Sequence, residues 1–263
     1  MYERNSSVEI SQVVVEENVT GHAFLSKVFG YMSIWLLITT LVAIIAGVGF
    51  SYAFTHLPAG SGDLDNAVLL FFGALVFSLI GLLITGMVIR IGSFSNKMSL
   101  TIPAAIYSVF MGILLSIFVM FIDWYVLAMA FGITTLTFGG MYLIAKTTKK
   151  NLTPLGLVGS GLMMGALLLL LVFGVLAIVN MFVLSEKIAW TTYWLYVAID
   201  AIMFIAIIFI TMFEMWSIVK IAERGSTSKN LAQYCAFTLY TDFIYILIRV
   251  AIILARIFGS SRR

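Results

Sequence analysis

Cysteine, histidine and charged residues are all scarce in this chain of 263 residues. Cys235 is the single cysteine, which excludes an intrachain disulfide and a cysteine cluster for zinc or iron. The two histidines, His22 and His56, lie outside the long apolar segments, so an intramembrane serine protease would lack a histidine base. His-Glu-x-x-His and Gly-x-Ser-Gly motifs are also absent. We therefore expect no enzyme activity and no cofactor.

The low content of charged residues also limits the kinds of molecule that the protein could bind. Only 10% of the residues are charged, and the formal net charge is +3. The basic residues are spread along the chain rather than gathered on one face, so we expect no nucleic-acid binding. What the chain has instead is 62% hydrophobic residues and a mean hydropathy of +1.11. This composition predicts a polytopic membrane protein whose immediate partner is the lipid bilayer.

Long apolar runs define the predicted architecture. A spanning helix needs about 20 mostly apolar residues, and the sequence contains seven such runs, at roughly 27–54, 67–91, 101–122, 125–145, 157–183, 194–219 and 236–258. The connections are short, so we expect an all-α fold with a single seven-helix transmembrane domain over residues 24–263. Residues 1–23 form a polar tail without the features of a cleaved signal peptide, and the first apolar segment should act as the insertion signal.

The distribution of lysine and arginine predicts the orientation of these segments. With a cytoplasmic N-terminus, the outer loops contain only Lys187, and ten basic residues lie on the inner side. These ten are Arg4, Lys27, Arg90, Lys97, Lys146, Lys149, Lys150, Lys220, Arg224 and Lys229. Short loops and the absence of targeting signals favour a bacterial plasma membrane, and an internal eukaryotic membrane is the alternative.

The seventh segment is apolar but contains three charged residues. Asp242, Arg249 and Arg256 are spaced by seven residues and lie on one stripe of a helix. Such a stripe is costly against lipid, so we expect it to face other helices or water. The arginines have a second interpretation, which is that they extend to the headgroups. A full crossing leaves Arg262 and Arg263 outside; we favour a crossing with this segment central, over a re-entrant or broken segment.

The sixth segment adds two carboxylates, Asp200 and Glu214, that are fourteen residues and about 21 Å apart. Glu214 lies near the inner end, at a depth similar to that of Asp242. Two carboxylates in a poorly hydrated site cannot both ionise cheaply, so they titrate as a unit. Arg90 ends the second segment on the same side, and competition between a proton and this arginine predicts a pH-gated switch. The alternative is a structural ion-pair network that only fixes helix registry.

Several stretches of this sequence resemble the Bax inhibitor-1 family of YccA-like membrane proteins. They are "FLSKVFGYMSIWLLITTLVA", "IPAAIYSVFMGILLS", "FGITTLTFGGMYLIAKTTKKNLTPLG", "LYTDFIYILIR" and "LARIFG". The resemblance implies a seven-helix fold in which the other six helices surround the last one. It also implies a pH-sensitive calcium leak, with an acidic pair from segments six and seven and an arginine latch from segment two.

The family pattern assigns these roles to particular residues and also shows departures. Phe213 and Glu214 occupy the positions of a Tyr-Asp pair, so aspartate is replaced by glutamate. The second acid is Asp242, and the latch corresponds to Arg90. The chain is longer by about one helical turn between Asp242 and "LARIFG", which adds or displaces Arg249.

Calcium takes six to eight oxygen ligands, so Glu214 and Asp242 predict a weak site suited to a permeating ion. Asp200 and Asp123 near the outer face, with Arg249, are candidates for the ion path, although Asp123 is also an ordinary turn residue. The resemblance also implies an alternative function, a non-transporting regulator that binds a membrane-anchored ATP-dependent protease or another membrane partner; a protease could engage residues 1–20. Gly161 with Gly165, and the Gly139–Gly140 pair, predict close helix packing.

Overall fold

The computed structural model of the protein describes residues 3–57, 62–95, 99–183, 189–225 and 228–260. All regular structure in these residues is helical. The helices are α1 (Glu3–His56), α2 (Gly62–Ser95), α3 (Thr101–Phe121), α4 (Trp124–Thr147), α5 (Thr153–Val183), α6 (Ala189–Glu223) and α7 (Lys229–Ser260). The all-α fold expected from the sequence is therefore confirmed.

Each helix contains a stretch long and apolar enough to cross a bilayer. The seven stretches are Gly21–His56, Gly62–Gly92, Thr101–Phe121, Trp124–Thr147, Thr153–Val175, Val197–Glu223 and Lys229–Phe258. Helices suit this environment because they satisfy every interior backbone N–H and C=O group within the segment, where lipid offers no partner. The seventh segment is one unbroken helix, which favours a crossing over a re-entrant segment.

Helix α7 is the most buried helix of the bundle. Half of its membrane-spanning window is buried, against 11% for α2 and for α5. It contacts α1, α2, α4 and α6 along the backbone, and its Phe237 and Tyr240 side chains pack against Tyr107 of α3. Helix α5 packs on α6. The outward faces of α2 and α5 expose large apolar residues such as Leu69 and Leu157, which face lipid in a membrane.

Two polar contacts hold α7 against its neighbours in the absence of a strong hydrophobic driving force between helices in lipid. The Gln233 side chain accepts a hydrogen bond from the Leu100 backbone N–H (3.0 Å) and donates one to the Thr101 hydroxyl (2.6 Å). It therefore satisfies a backbone donor at the start of α3. Seven residues further along α7, the Tyr240 and Thr39 hydroxyls are 2.6 Å apart, and the Thr39 hydroxyl donates to the Ser108 carbonyl. This second contact joins α7, α1 and α3.

The glycines that let helices approach each other are not the predicted ones. A Cβ atom at Gly161 or Gly165 would meet no heavy atom of another helix within 4 Å among the described residues. Helix α5 instead turns Gly156 and Gly159 towards α6, where a Cβ atom at Gly156 would lie 2.5 Å from the Phe213 ring. Gly161 is two residues beyond Gly159 and points about 200° away around the helix. The packing prediction for Gly161 and Gly165 was therefore wrong. It was also wrong for the Gly139–Gly140 pair, where an added Cβ atom would likewise meet nothing within 4 Å.

A close approach of α1 to α3 occurs at Gly112, and it generates a test of the fold. A Cβ atom there would lie 2.7 Å from the Thr39 carbonyl oxygen and 2.7 Å from Val42 Cβ. We expect Gly112→Ala to lower the free energy of unfolding by about 1–3 kcal/mol, because backbone atoms of α1 must move. The measurement is an unfolding curve in mixed micelles.

Gly132→Ala is the matched control, since a Cβ atom there meets nothing within 4 Å. The control should be neutral or slightly stabilising, because both substitutions bring the same gain in helix propensity. Equal midpoints for the two variants would contradict the close approach of α1 and α3.

Candidate functional site

The candidate site lies where the C-terminal half of α6 passes the N-terminal half of α7. Glu214 of α6 and Asp242 of α7 face each other within hydrogen-bonding reach. Thr211 lies three residues before Glu214, and its hydroxyl lies beside the Asp242 carboxyl. Asp242 is only 9% exposed, and Thr211 is fully buried. The structure thus brings together the two carboxylates that the sequence places at similar depth.

Three polar atoms of this site are buried without an aligned hydrogen bond to the described protein. One oxygen of each carboxyl, Glu214 Oε2 and Asp242 Oδ2, is buried without an aligned hydrogen bond, and so is the Thr211 hydroxyl. Two ionised carboxylates are both acceptors and cannot bond to each other, whereas a protonated carboxyl donates. One proton shared between Glu214 and Asp242 would therefore give each a partner.

The surroundings of the acidic pair are weakly polar. The Cys235 thiol lies seven residues before Asp242 on α7. It is close enough to Glu214 for the two groups to interact electrostatically. Burial of this kind strengthens both repulsion between like charges and hydrogen bonding. The two carboxyl groups are consequently coupled more tightly here than they would be in water.

Metal binding at this site would need ligands from beyond the acidic pair. In the described part of the chain, no cluster of three or more His, Cys, Asp or Glu side chains is arranged to hold a metal ion. Glu214, Asp242 and the Thr211 hydroxyl offer at most five oxygen atoms, below the six to eight of a tight calcium site. The donor set fits hard, oxygen-seeking cations and weak binding.

A second charged contact joins the N-terminal half of α6 to the C-terminal half of α7. Arg249 of α7 forms an ion pair with Asp200 of α6. Both side chains are largely buried, at 21% and 11% exposed. The sequence did not predict this pairing. If Glu214 and Asp242 lie at the same depth on two straight antiparallel helices, Asp200 and Arg249 differ in depth by about 10 Å. The signal that could have revealed it was the reach of the long arginine side chain along the helix axis.

The other predicted site residues lie at the surface. The Arg90 side chain is exposed near the C-terminal end of α2, and its charge acts on the Tyr107 hydroxyl of α3. Asp123 is exposed and begins α4 with extended backbone (ψ 142°), where its carbonyl accepts from the Val126 and Leu127 N–H groups. Arg256 is exposed near the end of α7. Asp123 therefore has the position of a helix-capping turn residue.

The Asp200–Arg249 ion pair generates a stability prediction. Arg249→Gln and Asp200→Asn should each lower the free energy of unfolding by about 3 kcal/mol, since each leaves a buried charge without its partner. The double variant should lose clearly less than the sum of the single losses, as expected for residues in contact. Unfolding curves of the four proteins measure the coupling.

Arg256→Gln is the control for this cycle, because Arg256 lies one heptad further along α7 and is exposed. Its cost should stay below about 1 kcal/mol. Strict additivity of the Asp200 and Arg249 substitutions would show that the ion pair contributes nothing to stability.

Comparison with known proteins places this architecture in a family. The family model described as "Inhibitor of apoptosis-promoting Bax1" matches residues 21–261. The "Inner membrane protein YbhL" of Escherichia coli K12 is 30% identical, with 96% of this chain and 97% of the relative aligned, and the protein of the same name from E. coli O6:H1 gives the same values. An "Uncharacterized protein" of Borreliella burgdorferi is 28% identical, with 94% of this chain and 96% of the relative aligned. No solved structure gives a significant match.

The family match covers all seven apolar segments and both acidic positions, and the aligned relatives span nearly the whole chain. The protein is an integral membrane protein of seven helices, and it belongs to the Bax inhibitor-1 family.

Proposed function

We propose that the protein is a pH-sensitive calcium leak whose gate is the Glu214–Asp242 pair. The observation that supports this function is the meeting of two buried carboxyl groups across the contact between α6 and α7. A proton-sensitive contact between two membrane helices is a two-state element that pH can bias. The family resemblance supplies the calcium specificity of the proposal.

The proposed gating follows from the charge of the pair. With one shared proton, Glu214 and Asp242 form a hydrogen bond that holds α6 against α7. When that proton leaves, two negative charges face each other in a poorly hydrated site, and their repulsion favours separation of the helices. The same doubly ionised state attracts a divalent cation. Protons and calcium therefore compete for the pair.

Arg90 is the proposed latch, and Asp123 and Asp200 are proposed to line the outer part of the ion path. Arg90 is on α2, which contacts α7, so a modest change at the inner end would bring it towards an ionised Asp242. Asp200 is ion-paired with Arg249, so its carboxylate becomes available to cations only when that pair opens. Arg249 would thus affect the ion path indirectly, by holding or releasing the Asp200 carboxylate.

The membrane and orientation are also part of this proposal. The relative from E. coli is described as an inner membrane protein, which supports a bacterial plasma membrane for this chain. The strong excess of lysine and arginine on one side supports a cytoplasmic N-terminus.

The alternative is a regulator that conducts no ions and binds a membrane-anchored ATP-dependent protease. The polar segment at residues 1–20 precedes the apolar window of α1, which begins at Gly21. Such a polar end is what a processive protease could engage. In that case the acidic pair would only fix the registry of α6 and α7.

The leak predicts a defined response of calcium flux to pH in proteoliposomes. Glu214→Gln and Asp242→Asn each remove one ionisable group, so the doubly charged state cannot form. Both variants should therefore keep, from about pH 6 to pH 8, the flux that the wild type shows at the acidic end. The measurement is entry of calcium into vesicles containing a fluorescent indicator.

Glu223→Gln is the control, because Glu223 is on the same helix but half exposed and paired with Lys220 at 2.5 Å. It should retain the pH dependence of the wild type. Deletion of residues 2–20 should leave the flux intact. Wild-type flux equal to that of empty vesicles at every pH would overturn the leak and favour the partner-binding alternative.

A further inference from the structure

Helices α1 and α4 are held apart, and the space between them forms a long groove over α7. Two adjoining cavities of about 610 and 290 Å³ make up this α1–α4 groove. They share Leu36 on α1 and Phe131 on α4. The groove runs from His22 at one end of α1 to Ile44, 22 residues further on, which corresponds to about 33 Å of helix. That length matches the hydrocarbon thickness of one bilayer.

The groove opens to the hydrocarbon region of the membrane. Its floor is the apolar face of α7, including Phe243, Ile244 and Leu247. Leu37 of α1 and Leu136 of α4, which follow the lining residues Leu36 and Thr135 in sequence, are 60% and 78% exposed, so both helices present lipid-facing side chains beside the groove. An apolar cavity of this kind excludes water, and lining atoms without contacts lose dispersion energy. A flexible acyl chain is the apolar molecule that a bilayer supplies to fill such a space.

The end of the groove at His22 is polar and basic. His22, Ser26 and Tyr142 line it, and Lys146 follows Tyr142 by four residues on the same face of α4. Neither α4 nor residues 21–56 of α1 contains Asp or Glu. On the neighbouring α6, which packs against Gly21, Glu223 is paired with Lys220. The charged side chains described on α1 and α4 beside this end are therefore basic, as in basic pockets between transmembrane helices that bind lipid headgroups.

We propose that the α1–α4 groove binds one anionic phospholipid, with an acyl chain along α7 and its phosphate beside His22 and Lys146. This inference goes beyond the proposed leak and does not depend on it. The lipid comes from the leaflet on the His22 side, and its chain contacts the helix face next to Asp242.

Two neighbouring glycines provide a matched pair of variants. Gly139 lines the groove and Gly140 does not, and a Cβ atom at either would meet no heavy atom of another helix within 4 Å. Gly140 points about 100° away around α4. Gly139→Leu therefore fills the groove, whereas Gly140→Leu adds the same side chain outside it. Both substitutions replace glycine within the same helical turn, so their effects on the helix itself should be equal.

The experiment is native mass spectrometry of the delipidated full-length protein with dioleoyl phosphatidylglycerol or dioleoyl phosphatidylcholine. Wild type and Gly140→Leu should retain one phosphatidylglycerol. Gly139→Leu should bind it about tenfold more weakly, the effect of losing roughly two buried methylene groups. Lys146→Gln should lower the preference for phosphatidylglycerol over phosphatidylcholine while leaving acyl-chain binding in place.

Thermal stability provides a second readout in case a variant folds poorly. Phosphatidylglycerol should raise the melting temperature of wild type and Gly140→Leu, but not that of Gly139→Leu. Equal retention by Gly139→Leu and Gly140→Leu, or equal binding of the two lipids by wild type, would overturn the proposal. A second protein chain in place of lipid in the mass spectrum would likewise overturn it.

Discussion

The need to satisfy polar groups of a central helix within protein determines much of this structure. Helix α7 combines a membrane-spanning length with Gln233, Tyr240, Asp242 and Arg249 on one helix. In lipid each of these side chains would lack partners, at a cost of several kcal/mol. The surrounding helices supply partners at successive depths: α3 for Gln233, α1 for Tyr240, and α6 for both Asp242 and Arg249. The central position of α7 follows from this requirement.

The two charged contacts between α6 and α7 differ in how they respond to protons. Arg249 and Asp200 have opposite charges, so their ion pair is neutral as a unit and holds the contact between the N-terminal half of α6 and the C-terminal half of α7. Glu214 and Asp242 have the same sign, and the charge of their pair depends on how many protons they share. Under the proposed function, a change of pH would alter the contact at the acidic pair and leave the Asp200–Arg249 pair in place. This asymmetry makes the ion pair a suitable pivot for movement at the acidic pair.

Hydropathy and charge were sufficient to predict the seven helices and the depth of the acidic pair, because both depend on position along the chain alone. Contacts that depend on rotation or on side-chain length were not predictable in this way. Gln233 lies before residue 236, where the apolar run begins, so nothing in the sequence marked it as an anchor of α3. The Gly161 and Gly165 spacing fits a packing motif, but the face of α5 that meets α6 is set by the whole bundle and presents Gly156 and Gly159.

The α1–α4 groove connects the lipid environment to the same central helix. Phe243, which forms part of its floor, is adjacent in sequence to Asp242, and it packs against the rings of Phe131 and Phe138 on α4. Any tilt of α7 away from α6 must move Phe243 towards α1 and α4, into space that an acyl chain would occupy. A bound lipid would therefore oppose separation at Glu214 and Asp242, and loss of the lipid would ease it. Proton binding and lipid binding would then stabilise the same arrangement of α7 from opposite sides, and their effects on it should be coupled reciprocally.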